Sequence, residues 1–188
     1  RIKAAISIGS LSLVKLLHEQ IGSVINLNAS YCSAATSVGN LDILEYFHTN
    51  GLPWDEQTTC YGVYYGHLNC VQYAHELGCP WHNDACSIAA GNGHLDCLKY
   101  THEHGCHWTE ATAKNAAENG HLDCLQYAHK HGCPWNEETT GNAAKNGHLD
   151  CLQYAHEHGC PWDKFTTSYA AKNGHLICLQ YAKEHGCP

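Results

Sequence analysis

Residues 135–161 decide the reading of this chain: Trp135-Asn-Glu-Glu-Thr-Thr-Gly-Asn-Ala-Ala-Lys-Asn-Gly-His-Leu-Asp-Cys-Leu-Gln-Tyr-Ala-His-Glu-His-Gly-Cys-Pro161. They are one copy of a unit that recurs every 27 residues. All five tryptophans, Trp54, Trp81, Trp108, Trp135 and Trp162, keep that step, and so does the Gly-His-Leu triplet at Gly66, Gly93, Gly120, Gly147 and Gly174. A fixed period of this length marks a repeat architecture. Regular units fill 54–80, 81–107, 108–134, 135–161 and 162–188. Gly39-Asn40-Leu41 and Gly9-Ser10-Leu11 carry the pattern back into degenerate units at 1–26 and 27–53, so one array covers 1–188.

Each unit reads as two short helices. Asp55, Thr109, Asn136 and Asp163 follow a tryptophan and supply N-caps, whose side-chain oxygens accept from free backbone N–H groups. Thr58, Thr112, Thr139 and Thr166 sit three residues later. A first helix of about ten residues then runs to the Asn-Gly turn. The second starts near Leu149 and places Leu149, Leu152 and Ala155 on one face. Gly159 ends it in the left-handed region and Pro161 prevents continuation. Helices this short are marginal alone and need neighbouring units to bury their apolar faces. The fold expected is an all-α helix-turn-helix solenoid.

Ala143-Ala144-Lys145-Asn146-Gly147-His148-Leu149 with Glu157-His158-Gly159 resembles an ankyrin repeat, over about two thirds of each unit. Cys151 and Leu152 stand where that family usually has Ile and Val, Cys160 where it has Ala, and Trp162 where it has Val. The family repeat is typically about 33 residues, with Thr-Pro-Leu-His before the first helix. Here that tetrapeptide is absent, and the shorter period implies a shortened or absent β-hairpin. The resemblance extends to short, Cys- and His-rich arrays of giant DNA viruses and protists. It implies that the first helices line a concave binding side and that the repeated His67, His94, His121, His148 and His175 brace the turns. For a viral array it implies residence in the host cytoplasm.

Composition narrows the function. The 188 residues carry 10 Lys+Arg against 18 Asp+Glu, a formal charge of −8, which disfavours a nucleic-acid binder. With 44% hydrophobic and 15% charged residues the chain can build a core. No run of about 18 apolar residues offers a membrane span. Thirteen cysteines, an odd number without a secretory signal, fit a reducing cytoplasmic setting better than a disulfide scaffold. Equivalent cysteines of successive units should lie roughly 8–10 Å apart, beyond the ~7 Å a disulfide tolerates. Cys97, Cys124, Cys151 and Cys178 therefore read as small buried hydrophobes.

A second reading of the cysteines is metal-binding. His102-x-His104-x-Cys106 recurs at His129, His131, Cys133 and at His156, His158, Cys160. Zinc needs about four such ligands in a tetrahedron. Residues two apart on a helix face apart, so only pairs such as His156 and Cys160 could converge. A zinc-binding or redox-responsive structural array is the alternative to a binding scaffold. No metal ligand is assigned and no cofactor is expected. Seventeen histidines offset the −8 when about half are charged, so minimal solubility is expected near pH 6–6.5.

Comparison among the units locates a variable face. Counting Trp as one, positions three, four, seven, eight and eleven of the first helix vary while Leu-Gln-Tyr-Ala-His in the second helix hardly changes. These positions share one helical face. The candidate partner-binding residues on it are Tyr61, Tyr64, Ile88, Asn115, Asn142, Phe165 and Tyr169. Aromatics on such a face are the usual anchors of protein interfaces. Drift on a solvated face, or burial of these aromatics between units, is the competing account. The tryptophans are expected to pack between units. No nucleophile, phosphate loop or carboxylate pair interrupts the repeat, so no enzyme is expected. The expectation is a non-enzymatic, monomeric scaffold that binds a protein partner, with no nucleic acid and no membrane. The start at Arg1 reads as a piece of a longer chain, and an end without a polar capping unit should aggregate.

Overall fold

A computed structural model describes residues 1–21 and 28–188, and among them every regular element is a helix. The boundary expected between units at 26 and 27 lies outside the described residues. The chain divides into two compact units, residues 1–85 and 86–188.

The first unit holds α1 (Ile2–Ser7), α2 (Leu11–Ile21), α3 (Ser30–Ser37), α4 (Leu41–Thr49), α5 (Glu56–Tyr65) and α6 (Leu68–Glu76). Its core holds Ile2, Ile6, Val14, Ile43, Leu44 and Phe47, essentially inaccessible to water. Each such side chain contributes roughly 1.5–3 kcal/mol on burial.

α7 (Ala85–Gly91) begins at the last residue of the first unit. The second unit continues with α8 (Leu95–Glu103), α9 (Glu110–Glu118), α10 (Leu122–Lys130), α11 (Glu137–Asn146), α12 (Leu149–Glu157), α13 (Lys164–Lys172) and α14 (Leu176–Glu184). α9 packs on α11, which packs on α13, while α10, α12 and α14 form the parallel series behind them. Its core takes Leu98, Leu125 and Leu152 from three repeats, with Tyr100 beside them, among buried Ala and Cys. Small side chains let the helices approach closely.

The expected caps are present. Asp55, Thr109, Asn136 and Asp163 each accept a hydrogen bond from the backbone N–H two residues on, at 2.9–3.3 Å. In the unit that begins at Trp81 the Nδ1 of His82 takes this role for Asp84 at 3.2 Å, and the first helix α7 is only 7 residues long. Gly147 and Gly159 end their helices at φ +80 and +82. The N–H of His148 bonds the Ala143 carbonyl at 2.9 Å, and that of Cys160 bonds the Ala155 carbonyl at 2.9 Å, which satisfies carbonyls the helix leaves free.

Two further bonds close the repeats at 54–80, 135–161 and 162–188 on themselves, and the second of them also closes the repeat at 108–134. The hydroxyls of Thr59, Thr140 and Thr167 donate to the carbonyls of Pro80, Pro161 and Pro188 at 2.8–2.9 Å. The thiols of Cys79, Cys133, Cys160 and Cys187 donate to the carbonyls of the capping residues Asp55, Thr109, Asn136 and Asp163 at 3.2–3.4 Å. The Gly-Cys-Pro ending is thus tied to the start of its own first helix, over the short loop that stands in place of a hairpin.

Candidate partner-binding surface

The variable face is not uniformly outward. Position seven turns toward the following repeat. Ser33 and Ser87 occupy it as buried residues, and their hydroxyls meet those of Thr58 and Thr112 at 3.4 and 3.2 Å. Gly141, at the same position, is buried as well. Its partner position is Thr166, and that of Lys114 is Thr139. The Thr139 and Thr166 hydroxyls are buried without a hydrogen-bond partner. They lie beside the Cys160 and Cys187 thiols, whose ionised form they favour, without meeting hydrogen-bond geometry.

Positions four, eight and eleven carry the exposed aromatics of the variable face. In the first unit Tyr61 and Tyr64 are exposed, and Tyr65 joins them, stacked on Tyr61 at 6.4 Å and edge-on to Tyr64 at 4.8 Å. Tyr65 was not among the residues expected from sequence. Its signal was there, since it replaces the Asn that stands at position twelve in Asn92, Asn119, Asn146 and Asn173. In the second unit Phe165 and Tyr169 are 49% and 37% exposed and stack at 5.7 Å and 25°. Ile88, Asn115 and Asn142 are half-buried. Asn142 uses its Nδ2 to donate to the Glu138 carbonyl at 2.8 Å, a bond within its own helix.

Each cluster borders an open groove. Glu137, Glu138, Gly141, Asn142, Lys145, Asp163, Phe165 and Tyr169 line one of about 440 Å³ in the second unit. In the first unit Tyr61 and Tyr65 face Lys3, Asp55, Gln57 and three serines across about 380 Å³. Elsewhere in the second unit Leu176 and Ile177 are exposed side by side, with Ile177 where Asp96, Asp123 and Asp150 stand in other repeats.

The histidines and cysteines are engaged separately. His48, His75, His102, His129 and His156 stack face to face on Trp54, Trp81, Trp108, Trp135 and Trp162, with ring centroids 3.6–4.3 Å apart and planes within 17°. The tyrosine of the tryptophan's own repeat stands edge-on to the indole, as Tyr127 does to Trp108 and Tyr154 to Trp135. Its hydroxyl also meets the histidine Nδ1, at 3.2 Å for His102–Tyr127 and 2.9 Å for His129–Tyr154 and His156–Tyr181. The tryptophans therefore join successive repeats through a His–Trp–Tyr set. Desolvation holds the imidazoles of His102, His129 and His156 below the usual histidine range, with His131, His158 and His185 adding like-charge repulsion.

His156 and Cys160, the pair singled out for metal, thus point their donor atoms at different partners, Tyr181 and the Asn136 carbonyl. Burial pushes the Cys160 thiol up to about 12, which disfavours the thiolate a metal needs. Among the described residues no three His, Cys, Asp or Glu side chains cluster at metal-binding range. Burial likewise raises Cys97, Cys124 and Cys151 to about 12, and all thirteen cysteines are free thiols. The turn histidines His67, His121, His148 and His175 lie over Gly39, Gly93, Gly120 and Gly147 of the preceding repeat, so closely that a Cβ there would meet Nδ1 at 2.5–2.6 Å. These glycines have φ of +68 to +80 and are doubly required.

Among the described residues no helix is long and apolar enough to cross a membrane. Residues 142–182 match the family model described as ankyrin repeats (many copies). Among solved structures, the human ASB11 ankyrin repeat domain is similar, with a TM-score of 0.73, 16% sequence identity and coverage of 84% of each chain. At that identity the likeness is one of fold. No curated protein matches the chain. Ankyrin repeats generally serve as protein–protein interaction scaffolds. The paired helices, the glycine turns and these two likenesses identify the chain as an ankyrin-repeat array in fold, all-α, with a family match at residues 142–182.

Proposed function

We infer that this chain is a non-enzymatic scaffold that binds a protein partner through the faces of its first helices, which the family resemblance makes the concave side. The observation that carries the reading is the placement of Tyr61, Tyr64, Phe165 and Tyr169. They are exposed, each lies at a position that varies from repeat to repeat, and none is used by the core. Ile88, Asn115 and Asn142 contribute at the margin of that surface. Large, rigid aromatics supply contact area at low entropic cost. The scaffold acts as a monomer in the cytoplasm, on a protein rather than nucleic acid, which its −8 charge and free thiols support. Its mechanism is display: recurring bonds hold each repeat, and the varied side chains form the contact.

The test is affinity capture at matched expression. It compares the native chain with a variant carrying Tyr61→Ala, Tyr64→Ala, Phe165→Ala and Tyr169→Ala, both shown folded by circular dichroism. Proteins captured by the native chain alone are expected. Identical capture by both would sink this assignment of the surface.

A further inference from the structure

The groove between α11 and α13 has a floor without a side chain. A Cβ on Gly141 would make only an ordinary contact, with the Tyr169 ring at 3.8 Å, so the floor beneath that ring is backbone alone. The Phe165–Tyr169 stack forms one wall. Three carboxylates, Glu137, Glu138 and Asp163, line the groove against a single cation, Lys145. Glu138 is held by Lys114 at 3.5 Å, whereas Glu137 and Asp163 have no ion pair among the described residues. Lys164 already lies 5.5 Å from the Phe165 ring centroid, which leaves Tyr169 as the ring open to a further cation.

We propose that this groove takes the side chain of an arginine presented by the protein partner, a proposal that rests on the scaffold reading above. A guanidinium is flat and carries five donors. It can lie against the Tyr169 ring and at the same time donate to the Glu137 carboxylate. A lysine ammonium, compact and strongly hydrated, gains less from the ring and cannot make the two-pronged contact. A neutral or acidic side chain leaves the carboxylates uncompensated. The chain's charge of −8 draws a cationic segment toward it. The groove of the first unit has tyrosine walls too, but its lining balances Lys3 against Asp55. It therefore serves as an internal control.

The experiment is an amide NMR titration of the full chain with N-acetyl-arginine amide, and with the citrulline analogue as its neutral isostere. Saturable shifts at Gly141, Asn142 and Tyr169 are expected, with a dissociation constant on the order of millimolar. Tyr169→Ala and Glu137→Gln should each weaken binding roughly two- to fivefold, and Leu176→Ala, at an exposed residue that lines neither groove, should leave it unchanged. The same spectra report whether each variant is folded. Equal shifts with citrulline, no saturation with arginine, or unaltered binding by both groove variants would overturn the proposal. Failure here with partner capture still lost in the four-alanine variant overturns the arginine alone and leaves the scaffold reading standing. Arginine binding with capture unchanged by that variant overturns the placement of the partner on this surface, and the proposal with it.

Discussion

The His156 ring lies parallel to the Trp162 indole, with centroids 3.8 Å apart and planes 12° apart, while its Nδ1 is 2.9 Å from the Tyr181 hydroxyl. The same set joins His129 to Trp135 and Tyr154, and His102 to Trp108 and Tyr127. A neutral imidazole suits this half-buried place.

Stability should therefore depend on pH with a definite sign. Desolvation lowers the folded-state pKa of His102, His129 and His156 below the unfolded value of about 6.5. The unfolded chain then binds more protons. The stability these groups contribute is present above pH ~6.5 and is lost as the pH falls through that value toward the folded pKa. Thermal melts between pH 8 and 5 should show the midpoint falling on the acid side. Replacing the three histidines by Gln should flatten that fall, and an undiminished fall would place its origin elsewhere. The depressed pKa values also move the expected solubility minimum toward the acid side of pH 6–6.5.

Two helical glycines should respond oppositely to alanine. At Gly141 the added Cβ makes an ordinary contact, so Gly141→Ala should stabilise by about 0.5–1 kcal/mol through helix propensity. At Gly62 the Cβ would meet Val71 Cγ2 at 2.6 Å and Thr36 Cγ2 at 2.8 Å, so Gly62→Ala should destabilise by about 1–3 kcal/mol through overpacking. Urea denaturation of both variants checks the contrast. A destabilised Gly141→Ala would mean that the groove floor is already filled.

The buried threonines divide in the same manner. Thr112→Val removes the partner of the buried Ser87 hydroxyl and should cost about 1–3 kcal/mol. Thr166→Val removes a hydroxyl that has no partner and should be neutral or stabilising by up to about 1 kcal/mol. Equal losses at both sites, read from chemical denaturation, would show that Thr166 does have a partner in solution.

Thiol chemistry should single out one cysteine. Cys60 is half-buried, whereas the other twelve are buried. Alkylation of the native chain followed by mass spectrometry should label Cys60 first. Cys124 and Cys151, held at about 12 by burial, should react only on unfolding. Early labelling of Cys151 would revive a redox-responsive role.

Periodicity determined much on its own. The 27-residue step, the caps at Asp55, Thr109, Asn136 and Asp163, and the glycine stops are local features, so they can be read along the chain and appear as helix pairs in the structure. The exposed aromatics at positions four, eight and eleven were legible for the same reason, because a side chain's place on a helix face follows from its number. What the tertiary structure decided are contacts between repeats. The spacing His-x-His-x-Cys looks like a ligand run in one dimension. In three dimensions His156 belongs to Trp162 and Tyr181 of the next repeat, and Cys160 to Asn136 of its own. Position seven looks like surface until Ser87 meets Thr112, 25 residues away. Stacking distance and crossing geometry set these partners, and neither is encoded in the order of residues within one repeat.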